Sequence, residues 1–389
     1  MRTCCPNSFI IGLLKCVCRA DLLLRQETHA AGEWVFILDQ TYVGQQGVTT
    51  ENTFSRANYR QRPPKGHRQN KKHAKRSGHG FVMGLLLSPS GLRIPCCRRY
   101  YTQGYGQAKK YPYRTHIALA AALIRQVVVP AGAAVVVLGD TAFATADIRD
   151  ACVTRGWTWV MPLHPERVLA GPKVRSLVSE LTAESFQTVR LVPGQGHYTA
   201  QRRAARCRLG PKAKARTYYV QAERRQVHKV GDVLLVFSTK QQPTGREPVI
   251  VPKVLLTKAL QRTAAQVVRG YDWRWQIALF FKERQGTLGL HHYRFQQFLK
   301  VENGVQACLT AFGYLEWYRA GQRRRRQLPE ERQRWWRWQR RHGLTQAVSQ
   351  AAEEHDLTRL YQRTETPTGR RKLRKRLREA LPQEYRPAG

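Results

Sequence analysis

Two short apolar runs, each closing on an aspartate, constrain what this chain can fold into more than any other feature. Trp34-Val35-Phe36-Ile37-Leu38 leads into Asp39, and Ala134-Val135-Val136-Val137-Leu138 leads into Gly139-Asp140. Unbroken runs of β-branched, aromatic and aliphatic residues read as strands covered on both faces, which requires a sheet with helices packed on each side. A lone aspartate at the end of a strand commonly just caps a turn. On neighbouring strands of one sheet, however, Asp39 and Asp140 would meet although about a hundred residues separate them.

The remaining segments fit an α/β chain. Residues 80–87, 92–95 and 157–162 read as further strands, and 115–124 and the stretch up to about Arg155 as helices. From about 185 to 257 the pattern changes to short β segments at 188–192, 217–221, 232–237 and 249–257 between Gly and Pro turns. Basic loops at 202–216 and 224–229 lie within this region. An apolar helix is expected over 301–318, followed by arginine-rich text that includes Arg334-Trp335-Trp336-Arg337-Trp338. Arginine interleaved with tryptophan suits either phosphate binding with base stacking or docking of the tryptophans on the body of the protein.

Charge narrows the partners. Lys and Arg number 67 against 26 Asp and Glu, a formal net charge of +41. Such an excess calls for a polyanion, and nucleic acid is the expected one. No acidic residue occurs between Glu51 and Asp140, and the polycationic stretch there includes Lys71, Lys72, Lys75 and Arg76. An anionic membrane is the competing polyanion, but the basic residues are spread along the chain and not gathered in one amphipathic segment. The one membrane-like window, 117–139, is interrupted by Arg125, Gln126 and Pro130, and no export signal is read. Nine cysteines, an odd number with adjacent pairs at Cys4-Cys5 and Cys96-Cys97, do not form a disulfide framework, so free thiols in a reducing compartment are expected.

The stretch from Tyr271 to Gln285 reads as one amphipathic helix. Tyr271, Arg274, Ala278 and Gln285 stand with two, three and six residues between them and share one stripe, while Trp273, Ile277, Phe280 and Phe281 gather opposite. This stretch, with Trp275-Gln276-Ile277, Leu279-Phe280-Phe281-Lys282, Leu288-Gly289-Leu290 and Tyr293 around it, resembles the signature helix of DDE-type bacterial transposases of the insertion-sequence-four group. Tyr, Arg, Glu and Lys recur there at this spacing. Asp39-Gln40-Thr41 and Gly139-Asp140-Thr141 resemble the first and second aspartate segments of the same family. Tyr271 and Arg274 match the signature, whereas Ala278 and Gln285 replace its glutamate and lysine.

The resemblance implies a ribonuclease H-like mixed sheet flanked by helices, with a β-rich insertion and a basic helical C-terminal region. The expected boundaries are 1–32 for a short helical segment, 33–184 and 258–318 for the core, 185–257 for the insertion and 319–389 for the basic region. It further implies a two-metal site for Mg2+, or Mn2+ in its place, on Asp39 and Asp140, acting in metal-dependent DNA cleavage and strand transfer. Double-stranded DNA and a homodimer at synapsis are the implied partners, in the bacterial cytoplasm at the nucleoid, with Tyr271, Arg274, Lys282 and the 71–76 cluster as DNA contacts. Ala278 lacks the third carboxylate, so the alternative expectation is a non-catalytic DNA-binding protein on the same fold. Glu283 is about 140° around the helix from Ala278 and is expected to point away.

Overall fold

The run that opens at Trp34 becomes β1 (Trp34–Gly44), and its first five residues are fully buried. The computed structural model describes residues 32–44, 50–56, 76–89, 92–99, 102–169, 171–191, 216–244, 253–286, 288, 290 and 295–325. The expected elements at 1–31 and 326–389, the loop at 202–215, and Lys71, Lys72 and Lys75 lie outside the described residues.

In chain order, β1 is followed by β2 (Phe54–Arg56), β3 (Arg76–Leu87), β4 (Arg93–Arg99), α1 (Gln103–Ala108), α2 (His116–Gln126) and β5 (Val135–Leu138). Next come α3 (Ala146–Thr154), β6 (Thr158–Leu163), α4 (Val174–Ser179), β7 (Gln187–Leu191), β8 (Arg216–Val227), β9 (Gly231–Thr239) and β10 (Lys253–Thr257). The chain closes with α5 (Ala264–Tyr271), α6 (Trp275–Gly286) and α7 (Phe298–Arg325). The strands form one sheet in the order β2-β3-β1-β5-β6-β10-β9-β8-β7, with β4 also on β3. β1, β5 and β6 are parallel, and β3 runs antiparallel to β1. This is a mixed α/β arrangement consistent with the ribonuclease H-like core that the family resemblance implies, and its covered central strands are those expected from the two aspartate-terminated runs. The β-rich segment does not stand apart from it, because β10 pairs antiparallel with β6 and carries the sheet onward.

Strand alternation sorts the core into two layers. Trp34, Phe36 and Leu38 join Val135, Val137, Trp159 and Met161 under α2, α3 and α4. Val35, Ile37 and Val43 join Val136, Leu138 and Val160 under α5, α6 and α7. On α7, Phe298, Val301, Val305, Leu309, Phe312 and Leu315 recur at three- and four-residue steps and are all buried, as a core-facing helix demands. Each such side chain contributes about 1.5–3 kcal/mol by leaving water. Gly84 allows β3 to lie against β1, since a Cβ there would meet the Phe36 ring at 2.4 Å.

Local signals set the helix boundaries. Thr115 caps α2 by accepting from the Ala118 N–H at 3.2 Å. Arg155 closes the other end of α2, donating to the carbonyls of Ile124, Arg125 and Val127 while its guanidinium stacks on Trp157. Thr263 and Gln266 form a reciprocal capping box at the start of α5.

Three expectations are corrected. Asp39 does not end its strand, because β1 continues to Gly44 along β3; it sits where the parallel partner β5 stops, since the β1–β5 register ends at Ile37 opposite Leu138. Residues 224–227 are not loop but the end of β8, whose exposed and half-buried residues alternate as in a strand with one wet face. Only the turn after it, with Lys229 at φ 60°, is irregular. Finally, the stretch from Tyr271 to Gln285 is not one helix: α5 ends at Tyr271, Asp272–Arg274 form a 3-10 turn, and α6 begins at Trp275.

Candidate active site

Continuing the parallel register of Ile37 with Leu138 by two residues sets Asp39 level with Asp140. Alternation then puts Asp39 on the layer of Val35 and Ile37, the one that packs beneath α5 and α6. Asp140 leaves the end of β5 and caps the 3-10 turn Thr141–Phe143, its Oδ1 accepting from the Ala142 N–H at 2.9 Å. Gly139 before it is packed so closely that a Cβ would fall 2.9 Å from Phe143 and 3.0 Å from the Met161 sulfur.

The 3-10 turn organises the other side of the site. In that geometry residues three apart eclipse, so Tyr271 and Arg274 line up toward the aspartates. Arg274 Nη1 lies 3.8 Å from Asp39 Oδ2. The Tyr271 hydroxyl donates to the Gly139 carbonyl at 3.2 Å, which ties α5 to the segment carrying Asp140. Tyr271 is itself buried, and burial, helped by Asp140 and Asp39 against the opposing pull of Arg274, pushes its phenol up to about 12. It is therefore a hydrogen-bond donor at neutral pH and not a base.

Asp39 is held above the ordinary carboxylate range by burial first and by the charge of Asp140, against the opposing pull of the Gln40 N–H and Arg274. Its Oδ1 accepts from Gln40 at 2.8 Å, leaving Oδ2 toward Arg274. Two mutually repelling carboxylates of hard oxygen donors suit a divalent cation. Mg2+ in particular is commonly bound through one or two carboxylates, with water and substrate phosphates completing its shell. Among the described residues, no group of three or more His, Cys, Asp or Glu could hold a metal ion.

The structure brings Asp39, Asp140, Tyr271 and Arg274 together. Ala278 is half-buried on α6 and Lys282 is exposed one turn further along. Gln285 is the penultimate residue of α6. Arg76 opens β3 opposite Arg56, away from these residues in register. Glu283 is fully engaged elsewhere: its carboxylate takes a 2.6 Å bond from Arg93, whose guanidinium also binds Glu316 at 2.8 Å.

Lys253 was not anticipated from sequence. Its ammonium lies 4.9 Å from the Tyr271 ring centre, and burial, then Arg274 and Lys240, lower its pKa against the pull of Asp272. Arg216 pairs with Asp272 at 3.5 Å, and Lys240 approaches the Tyr218 ring. The β-rich segment thus supplies basic side chains around Tyr271 and Asp272. The available signal was a single lysine heading an apolar strand just before α5.

No curated protein matches the chain. The model of the family described as the transposase DDE domain matches residues 30–313, a span that begins just before Asp39 and ends within α7. With both aspartates, the mixed sheet and the Tyr271–Arg274 turn inside that span, the chain belongs to the transposase DDE domain family.

Proposed function

We propose that Asp39 and Asp140 hold divalent metal, Mg2+ or Mn2+, and that the chain cuts and joins DNA at insertion-sequence ends. The observation that carries this reading is the level placement of Asp39 on β1 and Asp140 just past the end of the adjacent parallel β5, with Arg274 beside Asp39. When bound, such cations clamp the attacking and leaving oxygens of an in-line phosphodiester displacement. Arg274 fixes Asp39 and offers a guanidinium to the scissile phosphate. Tyr271 holds Gly139, and with it the backbone that aims Asp140. Lys253, Lys282, Arg76 and the 71–75 lysines add positive charge along the DNA path, and two copies of the chain bring the two element ends together.

Ala278 favours a reduced rate. It stands where the family resemblance sets the third carboxylate, and the nearest acid on the same helix, Glu283, is bound by Arg93. The second reading, a DNA-binding protein that has lost cleavage, rests on this same residue. Calorimetric titration with Mn2+ and nicking of supercoiled plasmid test the proposal together. Wild type should bind the cation, Asp39→Asn and Asp140→Asn should each lose binding, and both should lose any nicking that wild type shows. Equal cation binding by all three proteins would remove the aspartates from the site.

A further inference from the structure

A cavity of about 130 Å³ opens on the opposite layer of the sheet, at the same edge as the aspartates. Its lining includes Thr141, the residue after Asp140, together with Arg149 of α3, and His164 and Arg167 just beyond β6. The C-terminal ends of parallel strands are where open α/β sheets receive ligands, and β5 and β6 both end here. Leu163 and Leu256 form an apolar floor.

The charge of this cavity is unbalanced. Arg149 is only 8% exposed, and its hydrogen bond is a single 3.3 Å contact from Nη1 to the Ala144 carbonyl. Among the described residues, no carboxylate lies within ion-pair distance of Arg149 or Arg167; Glu166 is instead committed to Lys173 and Arg175. Burial and then Arg167 lower the Arg149 pKa, with Asp150 opposing. His164 Nδ1 accepts from the Glu166 N–H at 3.2 Å, which leaves the ring proton on Nε2 as a donor. Two guanidiniums and an imidazole donor converge on one cavity, and a buried charge calls for a partner of opposite sign. Paired guanidiniums match the oxygens of a phosphate. At about 30 Å³ per water, the space is that of roughly four water molecules, enough for one phosphate group and too small for a nucleotide.

We propose that Arg149, Arg167 and His164 form a phosphate subsite that holds one backbone phosphate of the DNA strand passing over Asp140. The proposal rests on the DNA-cleaving reading above and adds to it the residues that set the strand's register on this edge of the sheet.

The test measures affinity of the full chain for a fluorescent duplex across a salt series in EDTA. Wild type is compared with Arg167→Ala, Arg149→Met, the double variant, and Arg125→Ala as an exposed charge control outside the cavity. Wild-type log affinity should fall linearly with log salt. Arg167→Ala and Arg149→Met should each lower that slope by roughly 0.9, the value of one phosphate contact. The double should lower it no further, because both side chains share one phosphate, and Arg125→Ala should leave it nearly unchanged. Arg167 is exposed, so its variant reports even if Arg149→Met fails to fold. A slope for Arg167→Ala equal to that of Arg125→Ala overturns the subsite, as does a double variant that loses two contacts. Inorganic phosphate that raises the melting temperature of wild type while the DNA slopes stay intact assigns the cavity to free phosphate and overturns the DNA assignment. A wild type indifferent to salt rejects the DNA reading as a whole.

Discussion

At Asp39, burial and the neighbouring charge of Asp140 outweigh the Gln40 N–H and Arg274, so the carboxyl takes up its proton at a higher pH than in the unfolded chain. The native state then binds more protons between the unfolded value, about 3.9, and the raised native one, and stability falls as pH rises through that window. Asp39→Asn removes this penalty. It should melt at a higher temperature than wild type at pH 7, with the gain shrinking as pH is lowered below the carboxylate range, where wild-type Asp39 is protonated as well; a lower melting temperature at pH 7 would contradict this balance. Tyr271 acts by a different route. Tyr271→Phe leaves the buried Gly139 carbonyl without its donor, which costs about 1–3 kcal/mol, measurable as a shift in urea midpoint. The same change should lower the rate of cleavage more than DNA affinity, because the hydroxyl positions Asp140 and is turned away from solvent.

Among the elements, α6 and α7 are locked to the sheet through one buried cation. Arg93 of β4 binds Glu283 of α6 and Glu316 of α7 and lies over the Phe312 ring at 4.9 Å. Arg93→Met would take the guanidinium away from Glu316, which is 1% exposed and keeps the backbone N–H of residue 93 as a donor, and should destabilise the protein by about 3 kcal/mol in denaturant unfolding. Replacing Glu316 by Leu in the same chain should recover much of that loss; no recovery would show that packing of the Arg93 stem dominates. This clamp was invisible in sequence, because Arg93 lies 190 and 223 residues from its two partners and nothing local marks them. Strands β1 and β5 were legible, since continuous β-branched runs admit few other structures. The break at Asp272 was not, because a 3-10 turn between helices leaves the apolar period almost unchanged. The end of β8 reads as a basic loop in sequence because Glu223-Arg224-Arg225-Gln226 presents a polar surface on a strand with one wet face. The pairing of Asp39 with Asp140 could be read in advance, whereas Lys253, Arg149 and Arg167 depended on β10 and α3 folding against β6.

Over the whole molecule, one sheet collects the two aspartates, the Tyr271–Arg274 turn and the basic strands of the β-rich segment at a common edge. No helix among the described residues is long and apolar enough to cross a membrane. The charge of +41 makes a polyanion the natural partner of that edge. The family places the chain among proteins of DNA transposition, and the proposed function makes Ala278 the residue that limits its rate. The most direct measurement is Mg2+-dependent nicking of supercoiled plasmid by wild type, Ala278→Glu, Gln285→Lys and the double variant, each shown to bind DNA equally. Ala278 is half-buried at the α6 surface, so the glutamate can be accommodated. The account predicts weak or no cutting by wild type and a gain of roughly 10²–10³-fold for Ala278→Glu, the scale of restoring one electrostatic catalytic group, with loss of that gain when Asp39→Asn is added. Brisk cutting by wild type that Ala278→Glu leaves unchanged would contradict it, and would mean that the third ligand comes from outside α6.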